Sequence, residues 1–166
     1  MELYTRNLVL RTVDDDDIEE VARMWDFENG VISLEDARTA MNNMKSNHER
    51  NGNGIIYHLC FAVFQKGADK IIGWCGLDGK IEKAKLHIFY SIDPDFRNRG
   101  YATQCAEMLL SYAFNEAHIP FVNGGCDKNN IASFRVMTKI GMVHNAFDQN
   151  GDPMFRIDKF QYHSIQ

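Results

Sequence analysis

The residue types that could do chemistry concentrate in one stretch, Ile92-Asp93-Pro94-Asp95-Phe96-Arg97-Asn98-Arg99-Gly100-Tyr101-Ala102-Thr103. It lies between a predicted strand and a predicted helix. A helix start offers unpaired N–H groups and the positive end of a dipole, which suits a phosphate. Gly100 and the small Ala102 let backbone amides approach a ligand closely, and Arg97 and Arg99 add charge and donors. No Lys-Ser or Lys-Thr follows the glycine and no GxGxxG is present, so neither a nucleotide P-loop nor a dinucleotide fold is indicated. On spacing alone, a plain helix start with two solvated arginines accounts for the stretch equally well.

The elements that must position this segment follow from periodicity. Leu8-Val9-Leu10 opens a short strand. Asp16 and Glu19 stand at capping-box spacing before the helical set Ile18, Val21, Ala22, Trp25. Ser33 with Asp36 repeats the signal before a second helix over 34–48. Apolar runs at 58–64 and 71–77 form a hairpin, and alternation of Leu86, Ile88, Tyr90 and Ile92 with His87, Phe89 and Ser91 predicts a strand over 84–92. A helix bearing Ala102, Cys105, Ala106, Leu109 and Ala113 follows, then a strand over 121–126. The next helix runs from about Asn130 to Ile140 and stops at Gly141. Strands 142–147 and 155–162 bracket a closing turn. The order is β-α-α-β-β-β-α-β-α-β-β in one domain, residues 1–166, with all three prolines at element edges.

Composition bounds the class. With 45% hydrophobic and 25% charged residues, the 166-residue chain has enough apolar material for a core without a metal or a disulfide. It is not collagen-like, disordered or a disulfide scaffold. No apolar run of ~18 residues spans a membrane, and MELYTRNLVLR carries charges where a signal peptide needs its apolar core. Cys60, Cys75, Cys105 and Cys126 form no CxxC pair, which reads as reduced thiols in the cytoplasm. A net charge of −5 argues against a nucleic-acid partner. The charge is polarised: residues 14–36 hold ten acids and one base, Arg23, so this segment is −9 and the rest of the chain +4.

Two motifs carry a resemblance. Arg97-Asn98-Arg99-Gly100-Tyr101-Ala102 resembles the R/Q-x-x-G-x-G/A pyrophosphate loop of the GNAT N-acetyltransferases. Asn130-Ile131-Ala132-Ser133, followed by Lys139-Ile140-Gly141-Met142, resembles their second signature. The Tyr-Ser-Ile-Asp-Pro lead-in and the N-x-x-S variant are most similar to the ribosomal-protein-alanine (RimJ/RimL-type) branch. The resemblance covers nearly the whole chain. It implies an α/β fold: a mixed, mostly antiparallel sheet of six to seven strands, helices on both faces, and a V-shaped splay between the fourth and fifth predicted strands (84–92 and 121–126). It also implies acetyl-CoA as cosubstrate, with no metal. Its pantetheine would lie in the splay near the backbone of Ile92, its pyrophosphate on Arg97 and on Asn98 through Thr103, and Asn130 would bind the pantetheine or cap its helix.

The family's usual proton carriers are missing. The helix tyrosine of many members is Met137 here, and the strand glutamate of some is Gly125. Within the resemblance, Ser133 is the candidate acid or thiolate donor, with helix capping as the alternative. His87 is the candidate base, with a surface role as the alternative; an unperturbed imidazole pKa of about 6.5 suits base work. Cys126 reads as a buried thiol. Trp25, Asp26 and Glu28 are candidates for the acceptor side, whereas Asp14–Asp17 read as a solvated helix cap. The implied reaction is direct acetyl transfer to a primary amine, first a protein N-terminus or peptide amine, then a polyamine or aminoglycoside-like cation. A homodimer is an allowed assembly. The rival is a CoA-binding sensor or interaction module with little catalysis, motivated by the two missing proton carriers.

Overall fold

Period-2 alternation in three long strands sorts apolar residues onto two faces, so the sheet at the centre of the molecule is buried on both sides. The strands are β3 (His58–Gln65), β4 (Ile71–Glu82) and β5 (Lys85–Ile92). Leu59, Phe61, Val63, Cys75, Leu77, Leu86 and Ile88 point into the larger core cluster. Ala62, Phe64, Ile71 and Trp74 point into a smaller one on the opposite face. The structure is a computed structural model that describes residues 1–25, 30–52, 54–82 and 85–165.

The other strands are β1 (Glu2–Tyr4), β2 (Leu8–Arg11), β6 (Phe121–Gly125), β7 (Val143–Phe147) and β8 (Pro153–Asp158). All eight form one sheet in the order β1-β2-β3-β4-β5-β6-β8-β7. Every pairing is antiparallel except β5 with β6. Helices α1 (Ile18–Met24) and α2 (Leu34–His48) cover the smaller cluster through Val21, Ala22, Met24, Ala37 and Met41. Helices α3 (Tyr101–Ser111) and α4 (Ile131–Lys139) bury Cys105, Ala106, Leu109, Leu110 and Met137 in the larger one. The expected α/β architecture, with helices on both faces, is therefore present.

Seven of the strands are those predicted, with an eighth added at the edge by β1, three residues that pair with β2. The last strand is shorter than predicted. It ends at Asp158, whose carboxylate accepts from the Gln161 amide at 2.8 Å while Gln161 reaches back to the Asp158 amide at 2.9 Å. This capping box starts a further helix, α5 (Lys159–Ser164), where the apolar residues alone suggested strand. A shift of two residues separates the predicted and observed cap before α1. The box is formed by Asp14 and Asp17, ahead of a 3₁₀ turn over Asp15–Asp17, and not by Asp16 and Glu19. Past Ser111, α3 runs into a π-helical turn, Tyr112–Glu116.

Candidate active site

The strands β5 and β6 meet in a single register pair, His87 with Asn123, tied by Asn123 Nδ2 donating to the Leu86 carbonyl at 3.4 Å. Toward their C-terminal ends the two strands no longer pair, and a V-shaped slot opens in the sheet. The β6 side of the slot is bare backbone, Gly124 and Gly125. A Cβ at Gly124 would stand 2.7 Å from Met137 Sδ, so the buried methionine of α4 fills the space a side chain would need.

The loop at the mouth of the slot is shaped by its own residues. Asp93 accepts from the Asp95 amide at 2.9 Å, and Pro94 starts a 3₁₀ turn. Asn98 and Gly100 then adopt left-handed conformations, φ 61° and φ 76°. A left-handed backbone is open to Asn and Gly at little steric cost. Gly100 is the N-cap of α3 and has no side chain with which to cap it. The first intrahelical bond is Gln104 N–H to Gly100 O at 3.1 Å, so the amides of Tyr101, Ala102 and Thr103 face out of the helix end. The side chains of Tyr101 and Thr103 are buried, and Tyr101 Oη accepts from Gln65 Nε2 at 2.8 Å. These two residues thus present backbone to the loop. Arg97 uses one donor on the Ile92 carbonyl, Nε to O at 2.8 Å, and so braces strand end against loop. Arg99 is exposed, held by the Asp95 carbonyl at 3.1 Å and by the Phe96 ring at 5.2 Å.

The other wall is the first turn of α4. Asn130 Oδ1 accepts from the Ser133 amide at 3.0 Å, which is the capping role. Ser133 Oγ lies 3.0 Å from Tyr90 Oη, and the same phenol lies 3.3 Å from the Ser133 carbonyl. Burial pushes the Tyr90 phenol up to about 12, with the Cys126 sulfur adding and Ser133 opposing. It is a neutral donor at any physiological pH. Burial also pushes the Cys126 thiol up, against a hydrogen bond from Ser133 and with Asp152 and Asp127 adding to the rise. Cys126 is therefore a protonated thiol beside the slot, poorly suited to act as a nucleophile. Tyr90 carried no role in the sequence. The available signal was a residue with a polar tip on the apolar face of β5, between Ile88 and Ile92.

On the opposite face, an open cavity of about 570 Å³ is lined by Trp25, Trp74, Phe89, His58, Asn43 and Asn47, among others. Trp25 is 41% exposed and meets Trp74 edge-on at 5.7 Å, and Trp74 is fixed by Nε1 donating to the Met24 carbonyl at 2.7 Å. His58 stacks on Phe89, centroids 5.8 Å apart, and its Nδ1 lies 3.3 Å from Asp78 Oδ2. His87 stands two residues before Phe89 on this face, opposite Asp78 in register, and is not among the residues lining the cavity. Trp25 thus comes together with the strand face that carries His87, whereas Ser133 stands across the sheet with Tyr90. Asp26 and Glu28 lie outside the described residues. Four of the eight other acids of the 14–36 segment have side-chain partners: Asp14 accepts from the Asp16 amide, Glu20 binds Arg23, Asp36 binds Ser33, and Asp17, expected to be solvated, is instead buried on Arg11 through two 2.6 Å bonds. Among the described residues, no group of three or more His, Cys, Asp or Glu is placed to hold a metal ion, and no helix is long and apolar enough to cross a membrane.

Comparison with known proteins agrees with this geometry. Residues 7–143 match the family model described as the acetyltransferase (GNAT) domain. The chain is 27% identical over 154 residues to YnaD of Bacillus subtilis (strain 168), named an uncharacterized N-acetyltransferase, covering 89% of this chain and 85% of that protein. Its fold is similar to that of ribosomal-protein-S5-alanine acetyltransferase from Vibrio fischeri, TM-score 0.79 at 15% identity, over 96% of this chain and 97% of that one. It is also similar to that of RimL, a ribosomal-protein α-N-acetyltransferase solved with coenzyme A in disulfide linkage to one of its cysteines. The TM-score there is 0.74 at 20% identity, over 95% and 98% of the two chains.

Proposed function

Since the chain belongs to the GNAT acetyltransferase family, we propose that it transfers the acetyl group of acetyl-CoA directly to a primary amine, a protein N-terminus or peptide amine before a polyamine or aminoglycoside-like cation. The observation that carries this is the slot: β5 and β6 part after one register pair, beside a helix start whose amides are bare. An extended, amide-bearing pantetheine suits the edge of β6 at Gly124 and Gly125 that faces β5 without pairing to it. The pyrophosphate suits the amides of Tyr101, Ala102 and Thr103, with Asn98 and Gly100 shaping the turn and Arg99 adding charge. Ile92 backbone and the Asn130 amide would hold the pantetheine arm, and Arg97 would keep the Ile92 carbonyl in place.

The amine arrives on the α1/α2 face, where Trp25 and Trp74 offer aromatic surface to a cation. His87, opposite Asp78, takes the proton as the C–N bond forms. The sulfur leaves with the electron pair of the C–S bond toward Ser133. What supports the peptide amine over the small cation is the described lining of the acceptor cavity, which is aromatic and amide-bearing, with Asn43 and Asn47 suited to a peptide backbone. A homodimer belongs to this reading as an assembly to be measured. So does residence in the cytoplasm, supported by four free cysteines.

The test is CoA release from acetyl-CoA in the presence of peptide and polyamine panels, beside calorimetric binding of CoA. Turnover on an amine with tight CoA binding is the expected result. Tight binding with no turnover on any amine would favour a CoA sensor instead. Arg99→Ala should weaken CoA binding about 10-fold, the scale of one charge-assisted contact, and leave the thermal midpoint unchanged.

A further inference from the structure

We propose that Tyr90 is a positioning residue for the leaving thiolate: its phenol donates to Ser133 Oγ and so turns the Ser133 proton into the slot, toward the sulfur of CoA. The inference rests on the acetyl-transfer reading above and adds to it a residue outside both signature motifs.

Two hydroxyls 3.0 Å apart hold two protons and share one hydrogen bond, which leaves one proton to be directed. In one arrangement Ser133 donates to Tyr90 Oη and the phenol donates to the Ser133 carbonyl, 3.3 Å away. Both protons are then consumed and the slot receives none. In the other, the phenol donates to Ser133 Oγ and the serine O–H turns away from Tyr90, to the side of the slot where it meets the Cys126 sulfur and where the sulfur of CoA would compete for it. Negative charge building on a departing sulfur selects the second arrangement. A chain of two donors is also stronger than a lone serine, because each bond polarises the next.

The fold fixes this pair from both sides. Tyr90 stands past the one point where β5 and β6 pair, so its ring bridges the open slot to α4. Ser133 is held by the Asn130 cap of the same helix turn. The groups facing the pair are the Cys126 thiol at the end of β6, together with Asp127 beyond it and Asp152 of the closing turn. The two carboxylates oppose charge on sulfur, which raises the need for a donor. Met137, where many relatives have tyrosine, is 2% exposed and packed on β6. The phenol thus comes from the strand facing the helix and not from the helix itself.

In proton bookkeeping the chain donates hydrogen bonds and loses nothing. A phenol that titrates near 12 does not surrender its proton to a thiolate. The electron pair of the C–S bond goes to sulfur, and the proton that finally reaches the sulfur is the one released by the amine.

The test needs no acceptor. CoA and S-methyl-CoA are bound by calorimetry from pH 6.5 to 9.5, to the intact protein and to the Tyr90→Phe, Ser133→Ala and double variants. A stabilised thiolate makes CoA gain affinity over S-methyl-CoA as pH rises. The expected gain is about tenfold, the equivalent of one unit in the bound thiol's pKa. Each single variant should abolish it, and the double variant should match the singles. With an amine substrate, kcat should fall about 10-fold in Tyr90→Phe and at least about 100-fold in Ser133→Ala, with KM for acetyl-CoA unchanged. A Tyr90→Phe protein that keeps both the pH-dependent preference and kcat overturns the inference, as do effects that add in the double variant. Absence of CoA binding by the unmodified protein overturns the acetyl-transfer reading itself, and this inference with it.

Discussion

At the start of α2, Ser33 Oγ accepts from the Asp36 amide at 3.0 Å and donates to the Asp36 carboxylate at 2.7 Å, with Glu35 beside it in the first turn. Before α1, Asp14 and Asp17 close a capping box, and Arg11 grips Asp17 with two bonds. The start of α3, on the other face of the sheet, has a glycine for a cap and Tyr101-Ala102-Thr103 with no acid among them. All three positions face the same problem, amides without intrahelical partners and a positive dipole end. On the α1/α2 side the chain supplies its own anions. At α3 it supplies none, and two left-handed residues, Asn98 and Gly100, turn the loop just ahead of the bare amides. Part of the acidic run thus finishes helices, and the bare start of α3 is the contrast on which the proposed pyrophosphate site rests.

Making α3 resemble α1 should have the largest consequence. Ala102→Asp places a carboxylate in its first turn. CoA affinity should fall at least about 100-fold, since like charges within ~4 Å repel by several kcal/mol at a protein surface. The thermal midpoint should hold or rise, because an acid near a helix start stabilises it by about 0.3–1 kcal/mol. Affinity and stability moving in opposite directions is the signature. Equal CoA affinity in the variant would place the phosphates elsewhere.

Asp17→Asn attacks the other side of the contrast and should cost about 2 kcal/mol at pH 7, the worth of hydrogen bonds to a charged group. Burial acts to raise the Asp17 carboxyl, and its bonds from Arg11 and the Asp14 amide more than reverse that, so the folded protein holds it below the ordinary value. A depressed carboxyl contributes its full stability above its unfolded pKa of about 3.9 and loses it as the pH falls through the folded value. Denaturant curves should therefore show the gap between variant and parent closing from about pH 4 downward. A gap that stays constant to pH 2 would mean that the Arg11 pair contributes nothing through charge.

Ser33→Ala is the smallest of the three. Removing this cap should cost about 1 kcal/mol, a fall of roughly 2–4 °C in Tm, and leave CoA binding untouched. A change in CoA affinity would mean that the two helix starts are coupled.

Much of this is legible in the chain's own residues. Alternation on 84–92, the Ser33–Asp36 cap and the Gly141 stop are local signals, and each sits where the structure has it. The loop from Arg97 to Thr103 was legible as the lead into a helix with an open backbone at Gly100, whereas its pyrophosphate role came only from the resemblance. What one-dimensional pattern missed was local competition: at 159–164 apolar residues suggested strand, and the Asp158–Gln161 box won with a helix. The capping frame at Asp14 slipped for a related reason, since four consecutive aspartates offer several equivalent registers and only contact with Arg11 chooses among them.

The sequence by itself determined the order of elements from β2 to β8, the buried side of the central strands and the motif at the start of α3. These depend on neighbours within a few residues, where periodicity and capping chemistry act. Tertiary structure alone decided that Tyr90 meets Ser133, 43 residues away, and that Ser133 stands across the sheet from the face that carries His87. Those relations depend on where β5 and β6 cease to pair, a long-range register that no spacing along the chain specifies.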